Sequence, residues 1–495
     1  MKILAKLEKS IGCWFLIAIS VVFFILRFPS LFEPNWYGDE GIYQTLGIAM
    51  NAEKLLYRDA FDNKPPLLYF LYSLVSSDQF AIRFLSLIAG ILAIAAFYFL
   101  AKKLFENRNA VFISTGFFAV LFGLPLIEGN IANAENFMLL PNILAAIIVL
   151  KSLETDVQNK RNKLLLSAGL ILGISFLLKI VALFDFAAFF VFLIFANSSK
   201  GFLDMFKIKN LIGELKITLP FILGFIAPIF LAALFFLINN AFPYFLKAVL
   251  FNNVGYVNYG NKFIIPQGLL IFKIILLLLF SLFVFSKRKI YGNSFMFIFL
   301  WLGFSLFNAY FSQRPYTHYV LVLLPSFSLM LGLFILNKNF SKLSGIVILT
   351  IFIVLLLSFN FYTKTAFYYQ NFISFLLAQK SVYSYQRFFD KNTPNDYDLA
   401  GYINSRSIPS DNIFIWGNNA QVYKLTEKLP PGRYTVSYHI TSYKDGLENT
   451  RNGLLASNPK FIITMPNVPP YPFSLSNYFL KINLNGMEIY EKFYK

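Results

Sequence analysis

Residues 164–196 read LLLSAGLILGISFLLKIVALFDFAAFFVFLIFA, 33 residues interrupted only by Lys179 and Asp185 among charged types. A helix of that length rises roughly 50 Å at 1.5 Å per residue, against about 30 Å of bilayer hydrocarbon. A single crossing would need a steep tilt, so the run divides at Lys179 into two spans joined as a tight helical hairpin. The same length test, worked outward, gives eleven spans. They begin near Ile11, Ala81, Ala110, Phe137, Lys163, Ile180, Ile217, Ile264, Ser294, His318 and Leu343. The apolar stretch Pro66 to Val75 is too short to cross and reads as interfacial or re-entrant. The first run follows Lys2, Lys6 and Lys9 and lacks a small-residue cleavage site at Arg27-Phe28-Pro29, which predicts an uncleaved span.

Composition agrees with that count. Apolar residues make up 57% of the 495-residue chain and charged residues 14%, with a mean hydropathy of +0.61; ordinary soluble domains carry roughly 25% charge. Such a chain is not a water-soluble globule, a disordered segment, a collagen or a disulfide-rich scaffold. Its one cysteine, Cys13, lies in the first apolar run and forms neither an internal disulfide nor a Cys-based metal cluster.

The formal charge of +18 is a topology signal rather than a nucleic-acid footprint, because the basic residues lie in short segments between apolar runs. With eleven crossings, one set of connections holds 19 lysines and arginines and the other holds seven, among them Lys54, Arg58, Lys64, Lys179 and Arg314. The excess places the N-terminus in the cytoplasm and everything after the last span outside. The expected architecture is an all-α polytopic membrane domain over residues 1–361, with a long first outer loop at 31–80, followed by a soluble outer α/β domain at 362–495. In that outer domain Asp411–Gly417, Tyr434–Tyr438, Lys460–Thr464 and Lys481–Leu484 have strand-like content, and Asp398–Ser405 looks helical.

Sidedness groups polar residues that are distant in sequence. The first outer loop opens with Trp36-Tyr37-Gly38-Asp39-Glu40-Gly41-Ile42-Tyr43, two adjacent carboxylates among interfacial aromatics, where desolvation favours a general base. Lys64 precedes Pro65 and Pro66, which stiffen the backbone at headgroup depth, where an ammonium meets lipid phosphate. Glu135 opens the fourth span; either a cationic partner or the helix N-terminus accounts for it. Lys179 and Asp185 are intramembrane charges, read as functional candidates or as a mutual structural pair. Gln313-Arg314-Pro315-Tyr316-Thr317-His318-Tyr319 combines a phosphate-binding guanidinium, hydroxyls and one of two histidines. Asp39, Glu40 and Glu135 are thus the candidate acids for activating an acceptor hydroxyl. Lys64, Lys179, Arg314, Tyr316 and His318 are the candidate groups for a departing lipid-tethered phosphate, which needs charge stabilisation and no proton. This kit suits sugar transfer, and one displacement inverts the anomeric centre.

The order of these motifs, from Gly38-Asp39-Glu40 through Asn63-Lys64-Pro65-Pro66-Leu67, Ala134-Glu135-Asn136 and Leu178-Lys179 to Arg314–Tyr319, resembles the GT-C superfamily of polyprenyl-phosphate-sugar glycosyltransferases. It is most similar to the bacterial branch of lipid A aminoarabinose transferases and protein O-mannosyltransferase-like enzymes. The sequence departs at Asn63, where the aminoarabinose transferases carry an acid, and at Ile42, where they carry arginine. The resemblance implies a bacterial inner-membrane enzyme with an undecaprenyl-phosphate sugar donor and a glycan, lipid or protein acceptor. It further implies Asp39 as base or site organiser, Glu135 as second acid and Lys64 at the donor phosphate. Oxygen ligands at Asp39 and Glu135 suit a divalent metal ion. The rival readings are a lipid-linked sugar flippase, against which no inverted repeat is seen, and a non-catalytic envelope glycan assembly protein.

Overall fold

A computed structural model describes residues 2–197, 207–253, 268–311, 316–336 and 361–493. The chain is a multi-span, mostly helical membrane protein with a small C-terminal sheet. The early helices are α1 (Lys2–Arg27), α2 (Gly38–Asn51), α3 (Pro66–Leu74), α4 (Gln79–Leu104), α5 (Arg108–Gly123), α6 (Ala134–Ser152), α7 (Gln158–Leu178) and α8 (Ala182–Asn197). Seven helices among the described residues are long and apolar enough to span, and Arg108–Gly123 and Ala182–Ala196 are shorter apolar helices. These include a helix at every expected span from Ile11 to His318; the span expected from Leu343 lies outside the described residues.

Two expected spans, from Ile264 and Ser294, run together as Gly268–Phe311, broken only at Gly292 (φ 79°, ψ 179°). That conformation is essentially restricted to glycine, so the residue marks the joint between two helices. The hairpin at Lys179 forms as expected: α7 ends there because Lys179 is extended (φ −157°, ψ 134°). The Pro66 segment is the nine-residue helix α3, roughly 14 Å long and too short to cross.

Contacts gather the chain into two compact units whose limits differ from a cut at residue 361. The first comprises Met1–Pro29, Leu85–Leu234 and Asn253–Tyr368. Its interior is aromatic and aliphatic, with Phe97 stacked on Phe118 and Phe189 edge-on to Trp301. Large side chains such as Trp14, Phe230 and Ile271 stay exposed, as lipid-facing residues do.

The second unit comprises Ser30–Phe84, Phe235–Asn252 and Tyr369–Lys495. The whole of the first outer loop, 31–80, therefore belongs to the same unit as the C-terminal chain. Four strands, β1 (Ile413–Trp416), β2 (Phe461–Thr464), β3 (Tyr478–Leu484) and β4 (Met487–Lys492), form a sheet in the order β1-β2-β4-β3. β1 and β2 are parallel; β4 is antiparallel to both its neighbours. The β3–β4 hairpin turns at Asn485 and Gly486, both at positive φ, the pair a tight type I′ turn needs. Tyr434–Tyr438 is not a strand. Its backbone partner is instead in the first outer loop, through a bridge between Phe61 and Tyr434, and a helix begins at Ser437. The expected helix at Asp398 starts earlier, at Thr393.

Candidate active site

Consecutive helical residues point about 100° apart, and this separates Asp39 from Glu40 in the first turn of α2. The Asp39 side chain is 37% exposed and that of Glu40 is 1% exposed. Gly41, next along, packs so closely that a Cβ there would lie 2.5 Å from the Gln421 backbone nitrogen, which fixes the rotation of α2. Glu40 turns inward to Arg83, whose Nη2 is 2.5 Å from Oε2. Arg83 also holds Glu33 (2.7 Å) and donates to the Ser30 carbonyl (2.9 Å), all in buried surroundings. One guanidinium between two carboxylates is a structural anchor of the loop.

Asp39 faces a different group. The Lys64 ammonium lies 3.5 Å from Asp39 Oδ2 and 3.6 Å from Asp62 Oδ2, and sits 4.8 Å from the centre of the Tyr43 ring. The Tyr43 hydroxyl donates to Asp39 (3.0 Å). The Lys64 main chain is held from both sides: its N–H donates to the Tyr69 hydroxyl (3.1 Å), and its carbonyl accepts from the Tyr57 hydroxyl (2.8 Å). Tyr69 in turn donates to Asp62 (2.8 Å). Burial, reinforced by Asp62, pushes the Tyr57 and Tyr69 phenols well above their usual range, so both stay protonated donors. Pro66 then opens α3 behind Pro65, and its missing N–H falls in the first turn, where helix N–H groups have no intrahelical partner. The result is a part-exposed carboxylate beside a cation of fixed position.

The first unit contains a second cluster. Glu135, in the first turn of α6, accepts from the Lys179 ammonium at the end of α7. His318 Nδ1 is 2.8 Å from Glu128 Oε2, and its Nε2 is 3.8 Å from Glu135 Oε1. The Thr317 hydroxyl donates to Glu128, and Lys179 lies 4.5 Å from the centre of the Tyr319 ring. Tyr316 is exposed and stacks on His318. Glu128 adopts φ 60°, a left-handed conformation uncommon for a residue with a side chain, and its carboxylate is held from several directions.

The expected cationic partner of Glu135 is therefore Lys179. The alternative pairing of Lys179 with Asp185 does not form: Asp185 accepts from Trp301 Nε1 (2.7 Å) and Asn142 Nδ2 (2.9 Å) instead. Lys179 and His318, expected at a phosphate, lie against carboxylates. Arg314 lies outside the described residues. Among the described residues no group of three or more His, Cys, Asp or Glu is arranged to hold a metal ion. Asp39 and Glu135 are each met by an ammonium group, a poor donor set for a divalent cation. Sequence reasoning missed Arg83, although a lone arginine in the apolar run Ala81–Leu87 is a recognisable signal. It also missed Asp62 and Glu128 as site members, and nothing in the local sequence marks His439, whose Nε2 lies 3.8 Å from Asp62 Oδ1.

Residues 63–222 match the family described as dolichyl-phosphate-mannose-protein mannosyltransferase. Comparison with curated proteins finds no significant sequence match. ArnT from Cupriavidus metallidurans, solved bound to undecaprenyl phosphate, aligns with a TM-score of 0.51 at 12% identity, covering 96% of this chain and 97% of that one. The archaeal oligosaccharyltransferase AglB from Archaeoglobus fulgidus, solved with an inhibitory peptide and a dolichol-phosphate, aligns with a TM-score of 0.50 at 14% identity, covering 92% of this chain and 69% of that one. The expected fold, a polytopic helical membrane domain with a small C-terminal α/β part, is the fold observed and is similar to that of these two structures.

Proposed function

We propose that this membrane protein of GT-C fold is an inverting glycosyltransferase that moves a sugar from a polyprenyl-phosphate donor to a hydroxyl of a glycan, lipid or protein at the outer face of the membrane. The observation that carries the reading is the juxtaposition of Asp39, part exposed at the N-terminus of α2, with the buttressed Lys64 ammonium 3.5 Å away. Family match and fold supply the context in which that pair has a chemical meaning.

Donor phosphate approaching Lys64 competes with Asp39 for the ammonium. As the phosphate takes the cation, the Asp39 carboxylate is released to accept a proton, while the positive end of α2 and the Tyr43 hydroxyl keep it in place. The acceptor oxygen attacks the anomeric carbon, its proton passes to Asp39, and the bond from that carbon to the phosphate oxygen breaks. Polyprenyl phosphate departs with the electron pair and needs no proton, because Lys64 meets its charge. A single displacement inverts the configuration.

In the Glu135–Lys179–His318–Glu128 cluster Lys179 already meets Glu135, while Thr317 and His318 already meet Glu128, and we assign it to holding the ends of α6 and α7 and the Thr317–Leu323 turn. The reading also assigns the protein to a bacterial inner membrane, with residues 1–361 as the membrane domain, a cytoplasmic N-terminus and 362–495 outside.

The test is purified full-length protein given polyprenyl-phosphate carrying radiolabelled sugar. Asp39→Asn is expected to lower turnover by roughly 10²- to 10⁴-fold, the range of a lost general base. Retained turnover excludes the base assignment. Movement of labelled lipid across proteoliposomes without covalent transfer would favour a flippase.

A further inference from the structure

Two helices of the first unit, both long and apolar enough to span, run side by side in the same direction. A Cβ on Gly169 of α7 would lie 2.1 Å from the Phe221 carbonyl oxygen of α9 (Ile208–Ile238), and one on Gly173 would lie 2.5 Å from that of Phe225. Four residues further along α7 meets four residues further along α9, so the helices are parallel, as the return of the chain through α8 requires. On α9, Gly224 packs as closely against the Leu166 carbonyl, at 2.2 Å. The parallel course brings the N-terminal ends of both helices to one face of the membrane.

Beside that contact, towards those ends, the two helices leave an open groove of about 400 Å³. Its mouth carries Lys163 from α7 and Lys216 from α9; its walls are Leu166, Leu219, Pro220 and Leu223. Lys216 and Leu223 are two helical turns apart, roughly 10 Å at 1.5 Å per residue, so the lining passes from cationic to apolar within that depth. Among the described residues no acid lines the groove and neither lysine is in an ion pair. Glu214, the acid nearest to it on α9, interacts electrostatically with Arg161 of α7 instead.

We propose that this groove binds an anionic diacyl phospholipid, its phosphodiester at Lys163 and Lys216 and an acyl chain along Leu166, Leu219 and Leu223. Charge and polarity select that occupant. A zwitterionic headgroup brings a cation of its own to a mouth that already holds two, whereas a phosphodiester with an uncharged headgroup meets both lysines. The three leucines are exposed on helices that span, so an acyl chain is their natural neighbour. Basic pockets between membrane helices on the cytoplasmic side hold anionic headgroups, and the orientation proposed above puts this groove on that side. Binding itself needs neither that orientation nor the glycosyltransferase reading, and it uses no residue assigned to sugar transfer.

The experiment is native mass spectrometry of the purified full-length protein in neutral detergent, with dioleoyl phosphatidylglycerol and dioleoyl phosphatidylcholine as probes. Wild type is expected to bind its first phosphatidylglycerol roughly thirtyfold more tightly than phosphatidylcholine, at about fivefold for each lysine near the headgroup. Lys163→Gln and Lys216→Gln should each lose about fivefold of that preference, and the double variant nearly all of it. Lys151→Gln removes the same charge at the end of α6, outside the groove, and should change little. Both groove lysines are exposed, and a variant with arginine at both positions, which keeps the charge, should keep the preference. Glycerol 3-phosphate, which has the phosphate without the chains, should not displace the lipid at equal concentration. The proposal is overturned by a wild type indifferent to headgroup, a preference that survives in the double Gln variant, an equal loss in Lys151→Gln or in the double Arg variant, or displacement by glycerol 3-phosphate. Undecaprenyl phosphate bound by wild type in preference to phosphatidylglycerol and lost in the double Gln variant would give the groove to a polyprenyl lipid instead.

Discussion

Arg83 and Glu40 meet as a fully buried pair, with Nη2 2.5 Å from Oε2 and Nε 3.2 Å from Oε1. Arg83 also holds Glu33, so removing Glu40 leaves the guanidinium one carboxylate but takes away two buried, charge-assisted hydrogen bonds, each worth about 1.5–3 kcal/mol. Glu40→Ala should therefore lower thermal stability sharply in detergent, whereas Asp39→Asn, one residue earlier and part exposed, should leave it nearly unchanged while losing turnover. A stable Glu40→Ala variant with a selective loss of kcat would return Glu40 to the chemistry.

In the proposed mechanism Lys64 meets the donor phosphate. Losing a charge-assisted hydrogen bond costs about 1.5–3 kcal/mol, so Lys64→Ala should raise the donor KM roughly ten- to a hundredfold. The acceptor KM should move little. Steady-state kinetics with each substrate varied in turn check the split, and an effect limited to the acceptor would contradict the phosphate assignment.

Glu135 and Lys179 form a buried ion pair in the first unit. Lys179→Met alone leaves Glu135 facing Glu128 through His318, and Glu135→Gln alone leaves a buried ammonium. Each single variant should lose about 3–5 kcal/mol, and the double variant markedly less than their sum. A double-mutant cycle on unfolding temperature measures the coupling; additive losses would show that the two side chains act independently.

Asp396 sits buried in the helix Thr393–Asn404, and burial raises its carboxyl to about 6 despite the amides of Asn419 and Gln421. An unfolded aspartate titrates near 3.9. Between those values the folded chain binds the extra proton, so this group favours folding as pH falls from about 6 to 4 and opposes it above. His439 has the reverse sign: its folded value near 4 lies below the unfolded one near 6.5, and the stability it contributes is lost as pH falls through that window. Melting temperature against pH for Asp396→Asn and His439→Gln should therefore diverge from wild type in opposite directions between pH 4 and 6. Parallel curves would show that neither group is perturbed.

The apolar helices were legible because hydrocarbon thickness imposes a length on every crossing, and that length is written along the chain. The break in residues 164–196 could be placed at Lys179, and the Pro66 segment could be kept out of the spans, by counting alone. Other features escaped for identifiable reasons. β4, Met487–Lys492, carries two glutamates and a lysine and lacks an apolar run, because only alternate residues face the core. Tyr434–Tyr438 has strand-forming residues, but its backbone meets Phe61 through Tyr434 and Gly417 through Ser437, and it joins no strand of the sheet.

Asp39 and Glu40 show where such reading stops. They are adjacent, carry the same charge and lie in the same turn, yet one faces Lys64 and the other Arg83. Sequence alone determined which segments are helical and apolar, since that follows from local composition measured against a fixed membrane thickness. Only the tertiary structure decided which carboxylate meets which cation, because the strength of a charge pair depends on separation and burial in space, and neither is a property of position along the chain.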